Sequence, residues 1–495
     1  VYVCAEAVED DDPYDLSFLK IVKYSSEGLI LWDTTYNSGE FTAEFVSDIA
    51  RDNNGNIIIS GEVLDDDEGT YSFLTLKISS SGIFHWIAQY DSTASNWGGH
   101  TYITLDDTGN IYVAGSSIVE DSSGNSKKAI ATRKLDAATG QTIWQRHYIR
   151  ENMQNYAFAR EIVRDNEGNI ITVGITDGDT TSYDFTTIKY SGNGELLWAQ
   201  IYADSAHSVD EYCNDVVVDN NGSIYTTGSW MDEQETMQGI QTLKYSTSGN
   251  LLWKQKYILQ ESYVISLSQK ILTDNNSNIY CIGTSLSQTA SDGTNYSIVK
   301  YDSNGTQLWN REFFVPIHEH FSDFTFDNTG NLIYAFTDYS DSTSEDFRTV
   351  KITPNDGNVV WSKTQNNTYY SEDHPIAFRK DSFGNIFILA DNGNHGLICI
   401  KYDNAGNQLW DIKDISKIPL QLDVDEDGNS FILSRHKDSL GHYYTTTKVN
   451  AQGVVQWNAK YYARWDLPFN YPEDAKVRTD NFGNAYVIGT EVVED

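Results

Sequence analysis

Short runs rich in β-branched and aromatic residues alternate along this chain with polar turns, and nowhere does a helical period take over. One stretch shows the rhythm: FVSDIARD (45–52), NIIISGEV (56–63), FLTLKIS (73–79) and IFHWIAQY (83–90) read as four successive strands, a to d. Two punctuating motifs repeat from end to end. The first is a turn of the form Asp-x-x-Gly-Asn, starting at Asp52, Asp106, Asp165, Asp219, Asp274, Asp327, Asp381, Asp425 and Asp480, with Ser223 in place of the Asn and Ser277 in place of the Gly in one copy each, and followed by a β-rich run such as IYVAGS. Asp accepts bonds from the amides ahead of it and Gly takes the positive φ, so a tight a–b hairpin is predicted at each copy. The second is a c-strand, a turn and a tryptophan, as in KYSGNGELLW (189–198). It ends at Trp32, Trp86, Trp144, Trp198, Trp253, Trp309, Trp361, Trp410 and Trp457, 47 to 58 residues apart.

Self-similarity at this period means stacked supersecondary units rather than separate domains. The predicted fold is all-β, a β-propeller of four-stranded blades, about nine by repeat count, in preference to a β-solenoid or a string of sandwiches. The units are expected at 1–36 (partial), 37–90, 91–148, 149–202, 203–257, 258–313, 314–365, 366–414, 415–461 and 462–495 (partial). The ends conflict. VYVCAEAVED (1–10) and AYVIGTEVVED (485–495) both read as b-strands, so ten b-strands face nine Trp hairpins. Either the last a–b pair completes the first c–d pair and one b-strand is displaced, or the chain is a window on a longer array.

The Gly-x-x-x-Trp ending, fullest in LDAATGQTIW (135–144), resembles the tryptophan-docking repeat of PQQ-type propellers, and the neighbouring DxxGNIYVAG run is similar to propeller repeats of secreted bacterial proteins. The resemblance spans essentially the whole chain and implies a propeller in an extracellular or cell-surface setting. Activity does not follow from it, because such repeats serve adhesins, scaffolds and enzymes alike. The vicinal cysteines of PQQ enzymes are absent, which argues against a quinoprotein dehydrogenase.

Charge narrows the partners. With 34 Lys and Arg against 71 Asp and Glu, the formal charge is -37, which repels nucleic acid and anionic membrane surfaces. No apolar run is long enough to span a bilayer. Cys4, Cys213, Cys281 and Cys399 are isolated and expected to be buried free thiols. Lacking an initiator Met and a recognisable signal segment, the chain is expected to be processed, with flanking domains in a longer precursor.

In a propeller the a–b and c–d turns share one face and the d–a and b–c loops the other. Only the second set varies here, so binding is expected there. Trp97, Trp230 and Trp465 fall outside the repeat register, in these loops, and offer rings for a sugar or a protein anchor. Asp48, Glu161, Asp215 and Asp323 each stand four residues before a turn Asp. They are expected to share the channel rim, either attracting cations and raising one another's pKa or capping backbone groups between blades. His318 and His320 with Asp323 nearby offer a weak transition-metal pattern. Asp423, Asp425 and Asp427 imitate the opening of a calcium loop, although Ser434 stands where its bidentate Glu belongs. No cofactor is otherwise called for, and no acid, base and nucleophile combine into a catalytic signature. The leading expectation is a binding or scaffold propeller for a protein or glycan, rather than an enzyme. A glycan-active hydrolase or lyase and a structural module of a larger surface protein are the alternatives.

Overall fold

A computed structural model describes the chain from residue 18 to residue 491, except 39–41, 66–69, 94–99, 121–124, 151–155, 178–182, 204–210, 232–237, 259–262, 288–292, 316–321, 341–343, 366–373, 392–395, 415, 439–440, 463–475 and 481–482. The described residues form thirty-six strands and no helix. They make nine antiparallel four-stranded sheets, the blades of a propeller. Eight blades are continuous in sequence: 42–93 (blade 2), 102–148 (3), 157–202 (4), 211–258 (5), 263–315 (6), 322–365 (7), 374–414 (8) and 418–462 (9). Blade 1 is assembled from both ends: Lys476–Thr479 and Ala485–Glu491 supply strands a and b, Phe18–Tyr24 and Ile30–Tyr36 supply c and d. The last b-strand thus settles the surplus within the described residues, and Val1 to Asp10 lie outside them.

Burial follows strand position. In blade 4 the b-strand IITVGIT and the c-strand DFTTIKY are buried at every residue, because both faces of a middle strand press on neighbouring blades. The d-strand LLWAQIY, an outer edge, is exposed at its first two residues, half-buried over the next four and buried only at Tyr202. Core clusters therefore straddle blade boundaries: Ile171, Val173 and Ile175 of blade 4 pack with Cys213, Val216 and Leu243 of blade 5.

A Lys and a Trp donate to one carbonyl of the next blade at each boundary, and blade 4 shows the joint in full. In blade 4, Asp165 Oδ1 accepts the amides of Glu167 and Asn169, at 2.9 and 2.8 Å, and its Oδ2 accepts Asn169 Nδ2 at 2.9 Å. The same Oδ2 meets Lys189 Nζ at 2.8 Å, both side chains being almost wholly buried. Lys189 Nζ and Trp198 Nε1 then donate to one carbonyl of the next blade, that of Thr247, at 3.4 and 3.0 Å. Gly249 on that turn (φ 85°) lies so close to the indole that a Cβ would sit 2.7 Å from it. Each of the nine tryptophans donates in this way to the following blade, and the last, Trp457, donates to Ser26 at 2.7 Å, which closes the ring. The motif residues noted separately in sequence, Asp, Lys, Gly and Trp, are parts of this one joint.

Candidate functional site

The stereotyped turn face is committed to these locks. A cleft of about 480 Å³ does open there between blades 2 and 3, beside His85 and Asp107, but Asp52, Asn56 and Lys77 in its wall already belong to a lock. The opposite end is where the variable d–a and b–c connections join the strands.

Inner strands reach that end with a shared irregularity. Six of them carry a β-bulge just before the position four residues ahead of the turn Asp, as between Val46 and Asp48, Ala159 and Glu161, and Cys213 and Asp215. A bulge re-aims the side chains beside it. Here it turns Asp48 and Asp215 into the seam with the following blade. Asp48 accepts its own next amide, Ile49, at 2.7 Å and Ile103 of blade 3 at 3.2 Å. Asp215 accepts Val216 at 2.8 Å and Ile271 of blade 6 at 2.9 Å. Asp323 takes a different partner, Lys270 Nζ at 2.6 Å. Glu161, one methylene longer, accepts only its own neighbour Ile162, at 2.9 Å, among its recorded bonds.

Asp48 and Asp215 cap backbone between blades. Burial, reinforced by the charges of Asp215 and Asp48, pushes Glu161 up to about 7, although the Ile162 amide opposes the shift. Burial also raises Asp215 to about 6 against the pull of the Ile271 and Val216 amides and of Lys270.

Above this seam lies a file of aromatic rings. Tyr156, ahead of the inner strand of blade 4, meets Tyr183 of the same blade edge-on at 5.4 Å, and Tyr183 meets Tyr212 of blade 5 at 5.2 Å. Phe158 stacks on Tyr156 at 6.1 Å, and Lys128 of blade 3 sits 5.8 Å over the Tyr156 ring. The backbone holds the file in place. Asp177 N donates to the Tyr156 carbonyl at 3.1 Å and Glu211 N to the Tyr183 carbonyl at 2.9 Å. Arg150 pairs with Asp184, the residue after Tyr183. Tyr156 remains 40% exposed, so the file reaches solvent. The sequence reading overlooked it by weighing loop tryptophans only. A usable signal existed, since Phe158 and Tyr212 both stand seven residues before a turn Asp.

Trp230 corrects an expectation. It belongs to the strand Ile224–Met231 rather than to a loop, is 5% exposed, and has Lys256 Nζ 4.0 Å over its ring. Its strand partner is Gly239, where a Cβ would come 2.0 Å from the Tyr257 carbonyl oxygen and 3.0 Å from the indole nitrogen. Trp97, Trp465, His318 and His320 lie outside the described residues.

The calcium pattern disperses. Asp425 is a turn residue, spent on Asp427 N and on Asn429 N and Nδ2. Asp423 points into the seam with blade 1, accepting Thr479 N at 2.6 Å and facing Arg379 Nε at 3.6 Å. No cluster of three metal-ligating side chains occurs among the described residues. Cys213, Cys281 and Cys399 are buried free thiols as expected, and burial pushes Cys281 up to about 12, while Cys4 lies outside the described residues.

No protein-family model and no curated protein matches the chain. Among solved structures it is similar to a eukaryotic initiation factor at 9% identity, over 89% of this chain and 96% of that one, with a TM-score of 0.49. It is also similar to the Dos1 propeller at 10% identity over 80% and 94%, TM-score 0.43. A third is PorZ, a surface component of the type-IX secretion system of Porphyromonas gingivalis, at 10% over 98% and 86%, TM-score 0.36.

Proposed function

We propose that this propeller is a binding or scaffold module that holds a protein or glycan partner on the face of its d–a and b–c loops, with Tyr156, Tyr183 and Tyr212 as part of the contact floor. The observation that carries this reading is the pinned tyrosine file. Rings already held by backbone bonds lose little freedom on binding, and each combines a broad apolar face with a polar tip. A secreted or cell-surface setting rests on the sequence resemblance alone. The test compares glycan-array and pull-down binding of the wild type with Tyr183→Ala, and with Trp97→Ala and Trp465→Ala. Tyr183→Ala is expected to weaken binding at least tenfold with an unchanged melting profile, and full retention of binding would sink the reading.

A second reading, a glycan-active hydrolase or lyase, draws on Glu161, a carboxyl near 7 beside a second raised carboxyl. Release of reducing ends or unsaturated uronate by the wild type and its loss in Glu161→Gln would favour that reading. Binding without turnover favours the first.

A further inference from the structure

Near the variable-loop end, the face that each blade turns to the blade before it carries a tier of polar and aromatic side chains. One cross-strand pair of strands b and c marks the tier in each case: Thr176 and Asp184 in blade 4, Trp230 and Gly239 in blade 5, Ser285 and Asn295 in blade 6, Asp338 and Asp346 in blade 7, His436 and Tyr443 in blade 9. In blades 4, 5, 7 and 9 the chain itself supplies a basic head there. Arg150 pairs with Asp184, Lys256 Nζ lies 4.0 Å over the Trp230 ring, Arg348 Nη2 sits 2.6 Å from Asp338, and Lys460 Nζ lies 4.3 Å over the Tyr443 ring.

Blade 6 reverses the charge. Lys256 and Lys460 each stand three residues after the tryptophan of their d-strand, and Glu312 stands at that place after Trp309. Arg348 stands three residues before Lys351, and Ser297 holds the same place before Lys300. Glu312 is exposed at the outer end of the seam, where its carboxylate accepts the Tyr257 hydroxyl of blade 5 at 2.5 Å and Asn295 Nδ2 at 3.2 Å. The second bond turns the amide nitrogen toward the carboxylate and leaves the amide oxygen for the interior.

Three polar atoms behind Glu312 have no partner: Asn295 Oδ1, Ser285 Oγ and Ser297 Oγ, on side chains that are 4%, 0% and 0% exposed. They share the parity of Cys281 and Val299, which pack with Tyr225 and Ile240 of blade 5. Ser285 is the strand partner of Asn295 and Ser297 is that of Glu312, so the four side chains make one contiguous patch. Buried polar atoms are nearly always bonded, and three orphaned oxygens side by side mark a place for a species that the chain does not provide. Oxygen donors alone suit a hard cation. A single carboxylate balances one positive charge, and the patch has neither the imidazole nor the further carboxylates of a divalent-metal cluster.

We propose that the seam between blades 5 and 6 binds one alkali-metal ion, sodium or potassium, at Ser285, Asn295 and Ser297 with Glu312 at its mouth. The ion does from solution what Arg150, Lys256, Arg348 and Lys460 do from the chain in the other four blades.

Melting in sodium, potassium and choline chloride at matched ionic strength reads the site, because choline is too large to enter it. The wild type is expected to melt higher in sodium or potassium than in choline by about 2 °C or more. Asn295→Leu, which removes the amide oxygen, should erase that difference. Glu312→Lys should erase it as well, and should melt higher in choline than the wild type does, because it supplies the cation in the manner of Lys256 and Lys460. Native tryptophan emission at low temperature shows that each variant is folded. Equal melting of the wild type in all three salts overturns the proposal, since a water in the seam would serve alike in each. A salt difference that survives in either folded variant overturns it too, because the ion would then act elsewhere.

Discussion

At the scale of single residues, glycine and aspartate hold turn positions that other side chains take only at a cost. Gly194 has φ 82° and lies where a Cβ would be 2.5 Å from the Trp144 indole, whereas Gly55 has φ 78° with nothing within 4 Å. Alanine at either site meets the left-handed penalty of about 1–2 kcal/mol. Only Gly194→Ala also displaces the tryptophan, adding roughly 1–3 kcal/mol of overpacking. Urea titration of the two variants should therefore separate them, and equal midpoints would show that the indole yields freely. Ser277 gives the converse case, a non-glycine at φ 58° in the one turn whose Gly is replaced. Ser277→Gly is expected to stabilise by up to about 1 kcal/mol in the same titration.

Glu161 sets a pH dependence at this scale. Its folded pKa, about 7, lies above its unfolded value, so the folded state binds the proton more tightly. The stability this contributes is complete below the unfolded value and is lost as pH rises through about 7. Between pH 5 and 8 the urea midpoint of the wild type should fall more than that of Glu161→Gln, and parallel profiles would remove Glu161 as the cause. Asp327 acts at the other end. Burial would raise it, but Lys351, Asn331 and Thr329 hold it down to about 2, so its contribution is present above the unfolded value and is lost as pH falls toward 2.

At the scale of elements, the outer strands are governed by a repeated bulge. In each blade the Lys of strand c pairs with Trp of strand d while the next c residue pairs two places before Trp, so the residue just before Trp is extra. This explains the exposed aliphatics Leu31, Ile143, Leu197, Leu252, Leu308, Val360 and Leu409, which are bulge residues on an edge. It also protects the edge, since a bulged strand is a poor template for another chain. Leu197→Lys should thus change stability by no more than about 0.5 kcal/mol. Deleting Leu197 should leave Lys189 paired with Trp198 in a regular ladder, so the tryptophan emission is kept while the outer strand loses the extra twist of the bulge. Loss of the emission signal would show that the bulge itself places the ring.

At the scale of the whole molecule, nine similar joints close a ring with one unusual member. Blade 1, like blade 3, holds its a–b pair by four register partners among the described residues, against nine for the a–b pair of blade 6. Amides of Lys476–Thr479 are accordingly expected to exchange hydrogen well before those of Glu211–Val218, as hydrogen-exchange mass spectrometry can read. Uniform protection around the ring would mean that closure is as strong as any other joint.

Much of this architecture was legible in the chain, because a turn that needs Asp and a positive-φ Gly, and a strand that needs a Trp, leave residues at fixed offsets wherever they recur. The lock between Asp165, Lys189, Trp198 and Thr247 was present in sequence as separate marks, and only their convergence was missing. The candidate site was far less legible. Tyr156, Tyr183 and Tyr212 come from three segments and two blades, so only Tyr212, seven residues before a turn Asp like Phe158, stands at a repeat offset, and Trp230 looked like a loop residue because the length of its strand is set by its pairing with Gln238–Tyr245. What the sequence determined by itself was the blade, its turns and the number of copies, since those depend on contacts within about 50 residues of chain. What only the tertiary structure decided was which of two equivalent b-strands completes blade 1, where the four seam carboxylates find their partners, and which aromatic rings meet. Those outcomes depend on chain segments brought together by ring closure, and sequence distance carries no record of that.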